Sequence, residues 1–364
     1  MKKVCHISTV HSRYDVRIFH KECKSLKPFY DVSLVIADGL GDEIAGGIKI
    51  FDIGLRQTSR LKRARIDSKK ALQKALELDC DLYHFHDPEL IFTGLKLKKA
   101  GKKVIYDVHE DLPRQIAGKP YLKDFVKPPL SRLVEWQENK AARKFDFICC
   151  ATPYITERFR KINSNSIDIN NFPILGELHK AHTNKENTVC YLGGITEERG
   201  IINIVKSLKD INTRLVLAGP VDNNNYLEEM KSLPEWNKVD FLGLVDRSEL
   251  ADIMAKSIAG LVTFLPLPNH INAQPNKMFE YMSARLPVIA SDFKLWKEII
   301  DSNNCGLTVN PLNTKEISDA IKQLTENPDK AKQMGENGQK AVMEKYNWDN
   351  EEKKLLDVYS KLLP

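Results

Sequence analysis

Tyr191-Leu192-Gly193-Gly194-Ile195-Thr196-Glu197-Glu198-Arg199-Gly200, followed by an apolar-periodic run at 201–208, decides how this chain is built. A strand-like segment at 188–192 delivers two glycines, a polar turn, a cation and a further glycine, and a helix then begins. Strand, glycine turn and helix in this order are the start of a βαβ unit with a parallel sheet. Glycines let an anion approach the backbone, and a helix N-terminus offers amide donors and a favourable dipole. Arg199 adds a planar guanidinium that can hold two phosphate oxygens. Taken alone, the segment fits an ordinary strand-to-helix turn with a solvated arginine equally well.

The same rhythm extends in both directions. Downstream, 213–218, 239–242, 260–264 and 288–290 read as strands. Upstream, 4–9, 32–36, 82–86, 103–107 and 147–151 do so, with helical stretches at 19–27, 67–78 and 130–143. The polar segments 163–171 and 184–187 mark the restart. The expected architecture is α/β, with two doubly wound Rossmann-like domains at 1–172 and 173–345 and a C-terminal helix at 346–364. Ligands of such sheets bind beyond the carboxyl ends of the strands.

Bulk properties narrow the partners. The 364 residues are 42% hydrophobic and 29% charged, and no window approaches the roughly 20 apolar residues of a membrane span. Seven scattered cysteines form no CxxC pair, which argues against a zinc site or a disulfide framework and for a reducing, cytoplasmic setting. The first residues run into a strand-like segment without the apolar core of a signal peptide. Residues 1–170 carry 32 Lys and Arg against 22 Asp and Glu, and the remainder carries 23 against 27. A basic first half suits an anionic membrane surface or a phosphate-bearing acceptor. Nucleic acid is disfavoured because no stacking aromatics interleave the basic run 56–70. A second basic and apolar stretch, 121–132, suits the membrane interface as the first does, though both fit a solvated face at least as well.

The segment Asn272-Ala273-Gln274-Pro275-Asn276-Lys277-Met278-Phe279-Glu280 reads as a proline loop entering a helix. Lys277 falls in the first turn, where a cation opposes the helix dipole unless an anion is bound there. Glu280 lies three residues on, sharing its face. Lysine at phosphates and a carboxylate at ribose hydroxyls is one reading, and an i,i+3 surface ion pair is the other. Asp79-Cys80-Asp81 has the form of a DxD metal site, but it closes a helix and opens a strand, so no metal is expected.

These stretches, with Pro275 to Asp292, His11 to Cys23, His84 to Leu90 and Tyr106 to Asp111, resemble glycosyltransferase family 4, in a branch serving bacterial surface polysaccharides. The resemblance covers nearly the whole chain in order. It implies the GT-B fold, two Rossmann-like domains facing across a cleft with the last helix crossing back to the first. It also implies retaining, metal-independent transfer of a sugar from a UDP- or GDP-linked donor to a lipid-linked or oligosaccharide acceptor, with no cofactor. The setting would be capsular, exopolysaccharide or O-antigen synthesis, on the inner face of the cell membrane through peripheral contact with anionic lipid. The implied donor-binding residues are Gly193, Gly194, Arg199, Asn272, Asn276, Lys277 and Glu280. The implied catalytic residues are His109, Arg199 and Lys277, and Arg17, His86 and Asp87 are acceptor-side candidates. Two departures stand out: Gly194 replaces a frequent second phosphate-binding arginine, and Asn272 replaces the first glutamate of the Glu-x7-Glu pair. Two other readings stay open: a nucleotide-sugar epimerase of the same fold, or a catalytically silent binding subunit of a polysaccharide assembly.

Overall fold

The computed structural model describes residues 1–117, 122–180 and 185–364, so Tyr121 of the second basic stretch lies outside it. The chain forms two compact units, Met1–Asn171 with Trp348–Pro364, and Phe172–Asn347.

The first unit is built on an eight-stranded sheet: β1 Lys3–Ile7, β2 Asp31–Ile36, β3 Glu43–Ala45, β4 Ile48–Asp52, β5 Leu82–Phe85, β6 Lys103–Val108, β7 Phe147–Cys150 and β8 Ser166–Asp168, in the order β3-β4-β2-β1-β5-β6-β7-β8. All pairings are parallel except β3 with β4. The Val, Ile, Leu, Phe, Tyr and Cys side chains of β1, β2, β5 and β6 are buried, as strands covered on both faces require. The strand order reverses between β1 and β5, so loops leaving these strands diverge and leave a crevice at their carboxyl ends. The C-terminal helix Trp348–Leu362 belongs to this unit: Trp348 Nε1 donates to Ser25 Oγ (3.0 Å), and Glu351 accepts from the Asn170 amide (2.8 Å).

The second unit has a six-stranded, all-parallel sheet: β9 Thr188–Leu192, β10 Arg214–Ala218, β11 Val239–Gly243, β12 Ala259–Val262, β13 Val288–Ser291 and β14 Gly306–Val309. Its order, β11-β10-β9-β12-β13-β14, is the 3-2-1-4-5-6 arrangement of dinucleotide-binding sheets, with the reversal between β9 and β12. The helix Asn276–Ser283 packs against β12. A Cβ on Gly260 would stand 2.4 Å from the Tyr281 ring, so glycine is needed for that helix to sit so close. Tyr281 in turn accepts a hydrogen bond from the Leu192 amide (2.9 Å), fastening the helix to the end of β9. The Asp246–Glu249 capping box starts the helix Arg247–Lys256 and fixes Arg247 at its first position.

The DxD-like triplet is structural here. Asp79 is the left-handed C-cap of the helix Ser68–Leu78, and Asp81 accepts from the Lys3 amide (2.8 Å) at the start of β1.

Candidate active site

In the second unit, the end of β9 and the start of the helix Asn276–Ser283 bring two cations to one glycine turn. Gly193 adopts a φ of 124°, and a Cβ there would lie 2.9 Å from Lys277 Nζ and 3.6 Å from Arg199 Nη1. Glycine therefore leaves a small cradle with a cation on two sides. Arg199 donates to the Gly194 carbonyl (3.3 Å), and its guanidinium lies over Phe264 at 5.3 Å. Lys277 is 7% exposed, its Nζ 3.7 Å from the Tyr191 ring centroid, and it has no hydrogen-bond partner among the described residues. Burial pushes the Lys277 ammonium well below its ordinary range, and Arg199 adds to this against a smaller pull from Glu280. An unpaired buried cation beside a second cation is costly unless an anion joins them.

The helix-terminus part of the sequence reading needs correction. Arg199 sits in a tight turn, Glu197–Arg199, before the short helix Ile201–Ser207. The Arg199 and Gly200 amides are already bonded to the carbonyls of Thr196 (3.2 Å) and Glu197 (2.9 Å). These two amides are therefore not available to an anion.

Glu280 lies on the helix Asn276–Ser283, and its Oε1 accepts from Arg247 Nη1 at 2.8 Å. Arg247 also grips Glu177 through Nε (3.0 Å) and Nη2 (2.8 Å). Arg247, which the sequence reading missed, thus holds one of the two Glu280 carboxylate oxygens. Asn272 is half-buried in the loop before this helix, and Asn276 is exposed at the helix's first residue.

In the first unit, His109 follows β6 with its side chain 17% exposed. Its Nε2 is 2.9 Å from Asp107 Oδ2 and 3.2 Å from His86 Nδ1. Asp107 is fully buried and gripped by Arg17 through Nε (2.9 Å) and Nη2 (2.8 Å). Burial favours the neutral carboxyl, but Arg17 and then His109 outweigh it and hold Asp107 well below the usual carboxylate range. With Nε2–H assigned to Asp107, His109 presents Nδ1 as its free, basic nitrogen.

Three acceptor-side candidates are placed differently from expectation. Arg17 is 4% exposed, and its third edge donates to the Ile169 carbonyl (2.7 Å), so it is buried among its present partners and not open to an acceptor phosphate. His86 is buried, with Nδ1 3.1 Å from Asp107 and Nε2 2.9 Å from His6 Nδ1, and burial, partly offset by Asp107, pushes it down to about 4. Asp87 is 2% exposed and accepts from Ser8 Oγ (3.1 Å) and from the Thr9 amide and hydroxyl, organising the loop after β1. Each is a positioning group. Arg13 is likewise engaged, donating to both Asp38 oxygens (2.7 and 2.6 Å).

What the loop after β1 does present is His11, 4.8 Å from the His109 ring. Burial opposes its cationic form, yet Asp15 and Asp87 outweigh it and raise His11 above the ordinary histidine range. The sequence signal is available in His11-x3-Asp15, an i,i+4 pair.

Comparison with known proteins bears on both units. Residues 177–341 match the family model "Glycosyl transferases group 1", and residues 27–169 match "Glycosyltransferase Family 4". Among curated relatives, an uncharacterised glycosyltransferase of Methanocaldococcus jannaschii is 29% identical over 179 residues, 48% of this chain and 45% of the relative. Alpha-D-kanosaminyltransferase of Streptomyces kanamyceticus is 24% identical over 183 residues, covering 48% and 45%. The capsular polysaccharide biosynthesis glycosyltransferase CapM of Staphylococcus aureus is 22% identical over 200 residues, covering 51% and 50%. The chain thus spans about half the length of the curated relatives it matches. Two solved structures share the GT-B fold over the full chain. Sucrose-phosphate synthase from Thermosynechococcus elongatus has a TM-score of 0.82 at 17% identity, covering 100% and 99%. Anabaena HepE in complex with UDP-glucose has a TM-score of 0.73 at 14% identity, covering 99% and 100%.

Proposed function

Because the chain belongs to the group 1 glycosyltransferases of family 4, we propose that it transfers a sugar from a UDP- or GDP-linked donor to a lipid-linked or glycan acceptor, with retention at the anomeric carbon and without a metal at the phosphates. The observation that carries this reading is the pair Lys277 and Arg199 flanking the Gly193 cradle, with the Lys277 ammonium unpaired. Departure of a nucleoside diphosphate develops negative charge on its distal phosphate. Two fixed cations in a partly dry site stabilise that charge without reorganising. Glu280, braced by Arg247, receives the ribose hydroxyls. In the first unit, His109 carries a free Nδ1 to orient or deprotonate an acceptor hydroxyl, while Arg17 and Asp107 fix its ring.

Likeness to CapM supports a role in bacterial surface-polysaccharide synthesis. An inner-membrane location is supported by exposed apolar side chains set among lysines and arginines: Leu61 in one basic stretch, and Phe125, Leu133 and Trp136 in and after the other. No helix among the described residues is long and apolar enough to cross a membrane.

Thermal unfolding with a panel of nucleoside diphosphates tests donor binding. A ligand at about 100 times its Kd stabilises by about 2.7 kcal/mol. UDP or GDP is expected to raise the melting temperature of the wild-type protein and not of Lys277→Met. A panel without effect on the wild type contradicts the proposal.

A further inference from the structure

Beneath the helix Trp348–Leu362, the first unit holds four buried groups that converge: His6 on β1, Glu22, and His84 and His86 at the end of β5. Each offers one ligand atom, and the four atoms lie within 4.8 Å of one another. All four residues are 0–1% exposed. His6 Nδ1 and His86 Nε2 are 2.9 Å apart, and they lie 3.7 and 3.8 Å from Glu22 Oε2. A triangle with sides 2.9, 3.7 and 3.8 Å has its centre about 2.0 Å from each corner. That is the length of a zinc–imidazole or zinc–carboxylate bond.

The outward-facing nitrogens are held as those of metal-binding histidines usually are. His86 Nδ1 meets Asp107 Oδ2 at 3.1 Å. His6 Nε2 and His84 Nδ1 both meet the Tyr359 hydroxyl, at 3.0 and 2.9 Å. His84 Nε2 has no hydrogen-bond partner among the described residues, and neither Glu22 oxygen has one. Arg17 Nε lies 3.1 Å from Glu22 Oε1 and supplies charge, but it already donates to Asp107. The His6–His86 contact and the Arg17 ion pair to Glu22 Oε1 leave Glu22 Oε2 and His84 Nε2 without a hydrogen-bond partner among the described residues. One divalent cation accounts for all of them.

We propose that His6, Glu22, His84 and His86 form a structural site for a divalent transition cation of the zinc class. Three imidazoles and a carboxylate suit that class. With four protein ligands the site is closed, so it serves folding rather than the phosphates of the donor. It ties the two central strands to the segment after β1, and through Tyr359 to the C-terminal helix.

The test is metal content, which does not depend on the transferase reading. Full-length protein from zinc-supplemented cells is dialysed and assayed by inductively coupled plasma mass spectrometry, and protein refolded with cobalt is examined by visible spectroscopy. About one zinc per chain and the intense absorption of four-coordinate cobalt are expected, both lost in Glu22→Gln/His84→Gln. Wild-type protein that folds without metal and gives no such cobalt spectrum overturns the proposal. So does a folded double variant that keeps its full metal. If the variant fails to fold, the wild-type stoichiometry and spectrum decide alone.

Discussion

Replacing Lys277 by Met should stabilise the ligand-free protein while destroying its response to nucleotide. The side chain is 7% exposed, its Nζ lacks a partner among the described residues, and Arg199 is close by. Met keeps the apolar stem against Tyr191 and removes the charge. Relief of one unsatisfied buried polar group is worth about 1–3 kcal/mol, and for a domain of this size each kcal/mol moves Tm by about 2–4 °C. Tm should therefore rise by roughly 2–12 °C. Linkage gives a second signature. With its folded pKa lowered, Lys277 binds fewer protons in the native than in the unfolded state between that value and 10.5. Wild-type stability should then gain a rising contribution with pH across this window, fully present above 10.5 and absent in the variant. Scanning fluorimetry against pH, with and without UDP and GDP, reads both effects. A variant with lower Tm, an unchanged pH slope and an intact nucleotide shift would show that Lys277 serves packing and not an anion.

Arg199→Ala should lower kcat about 10²- to 10³-fold with circular dichroism unchanged, and a wild-type rate with a verified donor refutes its role. His109→Ala should leave nucleotide affinity intact by isothermal titration and slow turnover about a hundredfold or more, whereas Glu280→Ala should weaken nucleotide binding; the opposite pattern reverses the roles of the two units. Asp107→Asn removes the bidentate partner of the buried Arg17, leaving it Glu22 as carboxylate partner, and should cost about 3–5 kcal/mol in urea unfolding, against less than 1 kcal/mol if the pair is dispensable. Brief EDTA treatment should leave turnover unchanged and added magnesium or manganese should not raise it; loss on EDTA restored by either ion would place a metal at the phosphates.

Much of this was readable because the buried parallel strands are short runs rich in β-branched and aromatic residues: 82–86, 103–107 and 188–192 announce β5, β6 and β9. The β3–β4 hairpin was missed, although Gly46-Gly47 between its strands is a two-residue turn signal, because its strands are short, β3 spanning only Glu43–Ala45. Expected helix 19–27 is largely a wide π-type turn, Val16–Cys23, capped by Asp15, and no periodicity distinguishes the two over so few residues. At the site, Lys277 drew notice because a cation in a helix's first turn is locally unfavourable. Arg247 did not, since its partners Glu177 and Glu280 lie 70 and 33 residues away. Arg17, His86 and Asp87 looked like ligand contacts for the converse reason. Polar residues at strand ends read alike whether they face a ligand or one another, and only the fold reveals that Arg17 meets Asp107 across 90 residues.

The most direct test of the central claim is transfer itself. UDP- and GDP-sugars labelled in the sugar are incubated with the wild-type chain and with Arg199→Ala, beside a bacterial lipid extract as the acceptor source. Label should move into the organic phase with release of one nucleoside diphosphate per sugar, only with the wild type. Label that stays on the nucleotide as an isomerised sugar, or a donor that binds and never turns over, contradicts the account.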